Sequence, residues 1–301
     1  MPLDQLERAR ALQLPSREAM LHRAPSVGHF WNSNKELLTN AWQEWEEIQD
    51  LAKPDTSLLD ERLRTAVTQA WQDPTSEAAV ASLLQEVAPG VYQIQFCNPE
   101  RLADLRSYLE AVWNAQIPLR PPYGIALNRG GAMLDQRSEG FLAAPSFQAF
   151  YQELINQYMR PIARLLFPEI MGYDSQSFGF SIHYQPTTDT SLRGHTDASS
   201  VTLNININLP GEEYTGSSVD FYDPNTGQTN GLKFETGTAL IHRGSVAHAT
   251  HPITSGERSN LVLWLYGEYG KIPTRHAQAE IISPQERWST PTIKQDNMAP
   301  F

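Results

Sequence analysis

The chain has 301 residues, 40% of them hydrophobic and 19% charged, and its 34 acidic against 23 basic residues give a formal charge of -11. That length accommodates one large domain or two ordinary ones and buries a core without disulfides or structural metal; Cys97 is the single cysteine, which excludes an internal disulfide and suits a reducing compartment. The negative balance repels phosphate backbones and anionic membranes at long range, so nucleic acid and membrane surfaces are not expected partners, and a neutral or cationic substrate is easier to accommodate.

The opening Met1-Pro2-Leu3-Asp4-Gln5-Leu6-Glu7-Arg8 mixes both charges and has neither a signal-peptide core nor a membrane span, so a cytoplasmic protein is expected. Residues 1–90 read as a helical N-terminal region broken at Pro25, Pro54, Pro74 and Pro89-Gly90. Leu37, Leu38, Ala41, Trp42, Trp45 and Ile48 recur at helical spacing, as do Leu58, Leu63, Val67 and Trp71, and then Val80, Leu83, Leu84 and Val87 behind a Ser76 N-cap. Trp31, Trp42, Trp45 and Trp71 fit a core better than a binding groove.

A second unit, residues 91–270, begins with the alternating strand Val91 to Phe96 and a helix carrying Leu102, Leu105, Leu109, Val112 and Trp113 on one side. The glycine pair in Asn128-Arg129-Gly130-Gly131 lacks the lysine and following helix of a phosphate cradle and reads as a turn. Phe147 to Phe167 has the strongest helical period, with Pro161 a kink. Seven or eight short β-rich runs follow, from Phe178 to Tyr266, separated by Gly, Pro, Asn and Asp turns. The expected fold is therefore α+β, a two-sheet jelly roll (a double-stranded β-helix) with packing helices, followed by a polar tail over residues 271–301.

Within that β region, His195-Thr196-Asp197 and the later His248 could hold a metal, and Arg258 stands ten residues beyond His248. Two histidines and one carboxylate leave coordination positions open, which suits non-haem Fe(II) chemistry better than structural zinc, and an arginine fork suits a carboxylate. Alternation in Val201 to Leu209 sends Thr202, Asn204 and Asn206 to one face; the asparagines point either at a ligand or at solvent. His183, His242 and His251 are rival metal ligands.

Taken together, Tyr184 ending an aromatic strand, His195-Thr196-Asp197-Ala198-Ser199, the Thr202 to Asn208 strand and His248-Ala249-Thr250-His251-Pro252-Ile253-Thr254-Ser255-Gly256-Glu257-Arg258 resemble the Fe(II)/2-oxoglutarate-dependent dioxygenases, most closely the prolyl and lysyl hydroxylase branch. The resemblance implies that His195, Asp197 and His248 bind iron and act as the catalytic group. It implies that Arg258 binds the distal carboxylate of 2-oxoglutarate, that Tyr184 and Trp264 line the co-substrate pocket, and that Thr250 faces inward beside His248, with Asn206 a further candidate. The ten-residue spacing to Arg258 favours His248, and an odd offset puts His251 on the opposite face.

The implied cofactors are Fe(II), 2-oxoglutarate and O2, with ascorbate as an optional reductant. The implied reaction is hydroxylation of an unactivated C-H bond in an amino acid, a peptide or protein side chain, or a related small molecule, with release of succinate and CO2. Both histidines must be neutral to bind metal, so activity is expected to fall in acid. The alternative is a metal-poor jelly-roll binding module in which the same residues are structural. The loops from Pro118 to Glu139 and from Tyr214 to Gly231 are expected at the entrance, with Arg120, Asn128, Arg129 and Asp135 as candidate contacts.

Overall fold

The computed structural model describes residues 4–22, 24–118, 145–274 and 282–292. Before the main sheet come α1 (Gln5–Arg10), α2 (Arg17–Leu21), α3 (Pro25–Ile48), α4 (Glu61–Gln72) and the single turn α5 (Ala78–Ala81). Capping sets several of these starts: the Asp4, Ser16 and Asp60 side chains accept the free backbone N–H groups of α1, α2 and α4, and Pro25 opens α3. Trp31, Trp42 and Trp45 on α3 are fully buried, and Trp45 meets Tyr108 edge to face at 6.2 Å. They are core, as their spacing suggests.

The third expected helix is not formed. After α5 the chain enters β1 (Gln85–Ala88), which turns at Pro89-Gly90 and pairs antiparallel with β2 (Val91–Gln95). Four apolar residues at helical spacing are too weak a signal to hold against a hairpin ladder that completes a sheet edge. Ser76 accordingly closes a 3-10 turn and caps no long helix.

Next come α6 (Leu102–Asn114), α7 (Pro145–Glu153) and α8 (Arg160–Leu166). Between α7 and α8 the run Leu154–Met159 is π-helical, so the turn in front of Pro161 is widened by one residue where a proline lacks an N–H to donate. On α6 the expected apolar face is only partly right, because Trp113 is 48% exposed while Leu102, Leu105 and Val112 are buried.

The β region supplies β3 (Gln176–Tyr184), β4 (Leu192–His195), β5 (Val201–Asn206), β6 (Thr215–Gly216), β7 (Val219–Tyr222), β8 (Thr229–Leu232), β9 (Thr238–Arg243), β10 (His248–Thr250), β11 (Ile253–Ser255) and β12 (Arg258–Tyr266). They form a six-stranded antiparallel sheet in the order β1-β2-β9-β5-β12-β3, a four-stranded one in the order β4-β10-β7-β8, and the small pair β11-β6. The β-rich run after His248 is split at Pro252: β10 pairs with β4 and β7, and β11 with β6.

Alternation along the large sheet sorts its side chains as the pattern in β5 requires. Val201, Leu203 and Ile205, with Ala239, Ile241, Leu261, Leu263 and Leu265, join the helices in one core. The opposite face carries Phe178, Phe180, Ile182, Tyr184, Val262 and Trp264 in a second cluster. A polar row runs through that face, because Trp264 stands opposite Thr202 and Thr202 opposite His242. After residue 270 the tail carries α9 (Pro284–Arg287), which has a capping box at Ser283 and Glu286, and buried Trp288 packs edge-on against Trp71 at 5.7 Å.

Candidate active site

His195 ends β4 directly opposite His248 at the start of β10, so backbone pairing alone brings the two imidazoles together, with ring centroids 4.3 Å apart. Asp197 follows two residues later, and its own N–H donates to the Gly244 carbonyl at 2.9 Å. This docking needs glycine: a Cβ at Gly244 would lie 2.0 Å from the Ser199 carbonyl oxygen. One ligand atom from each of His195, Asp197 and His248 lies within 4.8 Å of the others. His195 Nε2 is 3.5 Å and His248 Nε2 3.8 Å from Asp197 Oδ1.

The imidazole tautomers follow from their partners. His195 Nδ1 meets the Arg193 carbonyl at 2.7 Å, and His248 Nδ1 meets the Val246 carbonyl at 3.0 Å. A carbonyl only accepts, so both Nδ1 atoms carry a hydrogen and both Nε2 atoms face the centre, free to ligate once the rings are neutral. Burial lowers the pKa of His248, which keeps its ring neutral. Burial is the largest influence on His195 and acts against its charge, but the hydrogen bond and charge of Asp197 and the Arg193 carbonyl together outweigh it and raise its pKa in the metal-free protein. For Asp197 burial opposes ionisation, yet the hydrogen bond with His195 and the charges of His248 and His242 bring its pKa to about 2. Its other oxygen accepts from Thr202 Oγ1 at 2.5 Å, so one oxygen is anchored and one is presented. Two imidazole nitrogens, neutral when a metal binds, and one carboxylate oxygen on one side, with a cavity on the other, fit a divalent iron with open positions.

That cavity, about 280 Å³, is lined among others by Tyr184, Asn204, Thr250 and Trp264. Tyr184 and Trp264 line the cavity that holds the cluster, as does Thr250, two residues after His248 on β10. Asn206 does not join the lining: it is buried in a polar knot, donating to Asn208 Oδ1 at 3.1 Å and to the Ser259 carbonyl at 3.4 Å. Its neighbour Asn204 reaches the cavity instead, and Asn204 Oδ1 accepts from Asn260 Nδ2 at 2.6 Å. The candidate loop contacts Arg120, Asn128, Arg129 and Asp135 lie outside the described residues.

Arg258 begins β12 opposite Tyr184 and is 1% exposed. Its guanidinium lies 4.3 Å from the Tyr184 ring centroid and 5.3 Å from that of Phe234. Nη1 donates to the Ser217 carbonyl, Tyr184 and Tyr214 are hydrogen-bonding neighbours, and Nε is buried with no partner. No carboxylate among the described residues pairs with it. A buried guanidinium with no anion beside it among the described residues and an unused N–H could receive a carboxylate from outside the chain.

The loop that contacts Arg258 is strained. Ser217 has φ +54 and Gly216 φ +76, and a Cβ on Gly216 would lie 2.2 Å from the Pro252 carbonyl oxygen. Gly216→Ala is expected to destabilise the protein by about 1–3 kcal/mol. It should also weaken carboxylate binding at Arg258, read as a lower melting temperature and a smaller thermal shift on adding 2-oxoglutarate.

The rival histidines take different places. His251 is exposed and pairs with Asp220 Oδ2 at 2.8 Å, and His183 lies between Ser259 Oγ at 2.6 Å and Glu257 Oε2 at 3.2 Å. His242 lines the cavity 4.9 Å from the His248 ring, but it is not part of the three-residue cluster. Burial pushes its pKa down to about 4. In the metal-free protein the unfolded chain therefore takes up this proton first as pH falls below about 6.5, and up to roughly 3 kcal/mol of stability is lost by pH 4. His242→Phe is expected to remove that component, measured as a smaller difference in urea midpoint between pH 7 and pH 5.

Sequence reasoning missed Thr202 as the anchor of Asp197 and the Ser217 carbonyl as the rest for Arg258. The polar face of β5 signalled the first, and no side-chain pattern could signal the second.

A two-histidine, one-carboxylate centre beside a buried cation is the class of site that fold and geometry define. No family model matches the chain. The chain is homologous to proteins named 2-oxoglutarate and iron-dependent oxygenase domain-containing proteins. The protein of that name from Xenopus tropicalis is 30% identical over 230 residues, covering 70% of this chain and 61% of the relative. The protein ICU11 from Arabidopsis thaliana is 27% identical over 204 residues, 63% of this chain and 48% of the relative. The chain thus spans about half to three-fifths of these relatives' lengths. Among solved structures, a Pseudomonas putida prolyl-4-hydroxylase aligns with a TM-score of 0.42 and 16% identity, covering 72% of this chain and 98% of that one.

Proposed function

We propose that this protein is an Fe(II)- and 2-oxoglutarate-dependent oxygenase that hydroxylates an unactivated C-H bond of an amino acid, peptide side chain or related small molecule. The observation that carries this reading is the His195, Asp197 and His248 cluster together with the buried guanidinium of Arg258, which has no anionic partner among the described residues. We read the six- and four-stranded antiparallel sheets as the two walls of a double-stranded β-helix. That reading is supported by the way consecutive strands alternate between them: β3 to β4, β4 to β5, and β9 to β10 each cross from one sheet to the other.

When bound, Fe(II) with 2-oxoglutarate and O2 would supply the oxidising chemistry, in which 2-oxoglutarate is decarboxylated to succinate and CO2, one oxygen atom of O2 entering succinate and the other the substrate C-H bond. His195, Asp197 and His248 hold the metal on one side. Arg258 receives the distal carboxylate, with its fork oriented by the Ser217 carbonyl and the Tyr184 ring. Thr202 fixes which Asp197 oxygen is presented. Trp264, Phe180 and Val262 wall the cavity with apolar surface, which limits water around the reacting carbon.

The test is 2-oxoglutarate binding by anaerobic protein loaded with Fe(II), followed by succinate formation in air. A charge-transfer absorption that needs both metal and 2-oxoglutarate, and is lost in Asp197→Asn, is expected. Protein that shows neither this absorption nor metal-dependent stabilisation by 2-oxoglutarate would be a binding module.

A further inference from the structure

The cavity beside the metal cluster has a cation that neither the iron nor 2-oxoglutarate accounts for. Arg193, two residues before His195 on β4, lines the same cavity as the triad and is exposed. Its backbone carbonyl is held by His195 Nδ1 at 2.7 Å, so the residue is tied to the metal cluster through its main chain. Its guanidinium has no hydrogen-bond acceptor and no ion-pair partner among the described residues. The other titratable groups lining the cavity are His195, Asp197, His242 and His248, plus Tyr184 beside Arg258.

We propose that Arg193 recognises the substrate and that the substrate is a small carboxylate whose acid group rests on the Arg193 guanidinium. This rests on the oxygenase reading above and deepens it. The charge balance of the filled site leads there: the two positive charges of Fe(II) and the one of Arg258 are matched by Asp197 and the 2-oxoglutarate dianion. Arg193 is then the uncompensated charge, beside a partly desolvated cavity where an anion gains most from it.

Distance sets the size. Two residues of extended strand separate Arg193 from His195 by about 7 Å along the backbone, so a gripped acid group lies only a few bonds from a carbon held over the metal. A cavity of 280 Å³ that must also hold 2-oxoglutarate leaves room for a compact molecule, at the small end of ligand pockets. The overall charge of -11 favours neutral or cationic ligands at long range, and a carboxylate is therefore admitted only where a local cation reverses the field. The planar fork of arginine grips both carboxylate oxygens.

The test uses protein loaded with Mn(II) and saturated with 2-oxoglutarate, so that binding is read without turnover. The probes are the common L-amino acids, their N-acetyl derivatives, and the corresponding carboxamides, each followed by metal-dependent proton relaxation in NMR. At least one carboxylate is expected to bind about tenfold or more tightly than its carboxamide, and Arg193→Gln should bring that ratio near one. Binding by free amino acids alone identifies a free acid, and equal binding by N-acetyl forms identifies a chain terminus; both support the assignment. Equal affinity of acid and carboxamide in the parent protein, a ratio that survives in Arg193→Gln, or no relaxation by any carboxylate would overturn it. A failure of the oxygenase reading looks different, because then 2-oxoglutarate itself does not bind the metal-loaded parent.

Discussion

Asp197→Asn is expected to lower Fe(II) affinity by about 100-fold or more, since it removes the one anionic donor while leaving shape and backbone contacts in place. The carboxylate is 8% exposed, its pKa is held near 2, and one of its oxygens is already pinned by Thr202. A neutral amide there could still accept from Thr202, but it would present either a weaker oxygen or an N–H to the metal. Thr202→Val keeps the charge and loses only the pin, so its loss should be smaller, about 10- to 100-fold. Competition with a chromophoric chelator under argon measures both. An Asp197→Asn protein that binds Fe(II) as the parent does would remove Asp197 from the site, and equal losses in the two variants would mean that orientation, and not charge, dominates.

Arg258→Gln is expected to weaken 2-oxoglutarate binding by about 100-fold or more, because truncating one side of a buried charged pair leaves the other desolvated and alone. Arg258→Lys should fall between, as an ammonium cannot form the two-pronged contact or stack on Tyr184 in the same way. Equilibrium binding of 2-oxoglutarate to Mn(II)-loaded protein gives the affinities. The stability of the ligand-free protein should respond in the opposite sense. Among the described residues Arg258 is a buried cation without an anionic partner and with an unused Nε, so its replacement by a neutral side chain is expected to leave the unliganded melting temperature unchanged or raised. The parent should gain stability on adding 2-oxoglutarate, and Arg258→Gln should not. A variant that loses ligand affinity and folded stability together would point to a structural arginine.

Both predictions concern residues that stand out in the amino-acid sequence, and the reason is local. His195 and Asp197 are two apart, and Arg258 follows His248 at ten. Alternation in β5 correctly divided Val201, Leu203 and Ile205 from Thr202 and Asn204, because a strand of a half-buried sheet cannot change face without a bulge. The burial of Trp31, Trp42 and Trp45 was legible for the same kind of reason, as a helix repeats its face every three or four residues.

Tertiary structure decided what spacing could not. Val80 to Val87 had a short helical period, and the hairpin with Val91 turned part of it into strand, since ladder pairing is a contact with a distant partner that no local window contains. Asn206 and Asn204 share a face, yet only Asn204 reaches the cavity, because the end of β5 is taken up by Asn208 and Ser259 from neighbouring chain. His242 had the right chemistry for a ligand, and its place on β9, opposite Thr202, sets it beside the cluster and not within it. The partners that tune the site, the carbonyls of Ser217, Arg193 and Val246, are backbone atoms that every residue type possesses. The sequence by itself determined which side chains could bind metal and carboxylate; only the pairing of β4 with β10 and of β3 with β12 decided where they meet, since hydrogen-bonded register is a property of two strands and is written in neither alone.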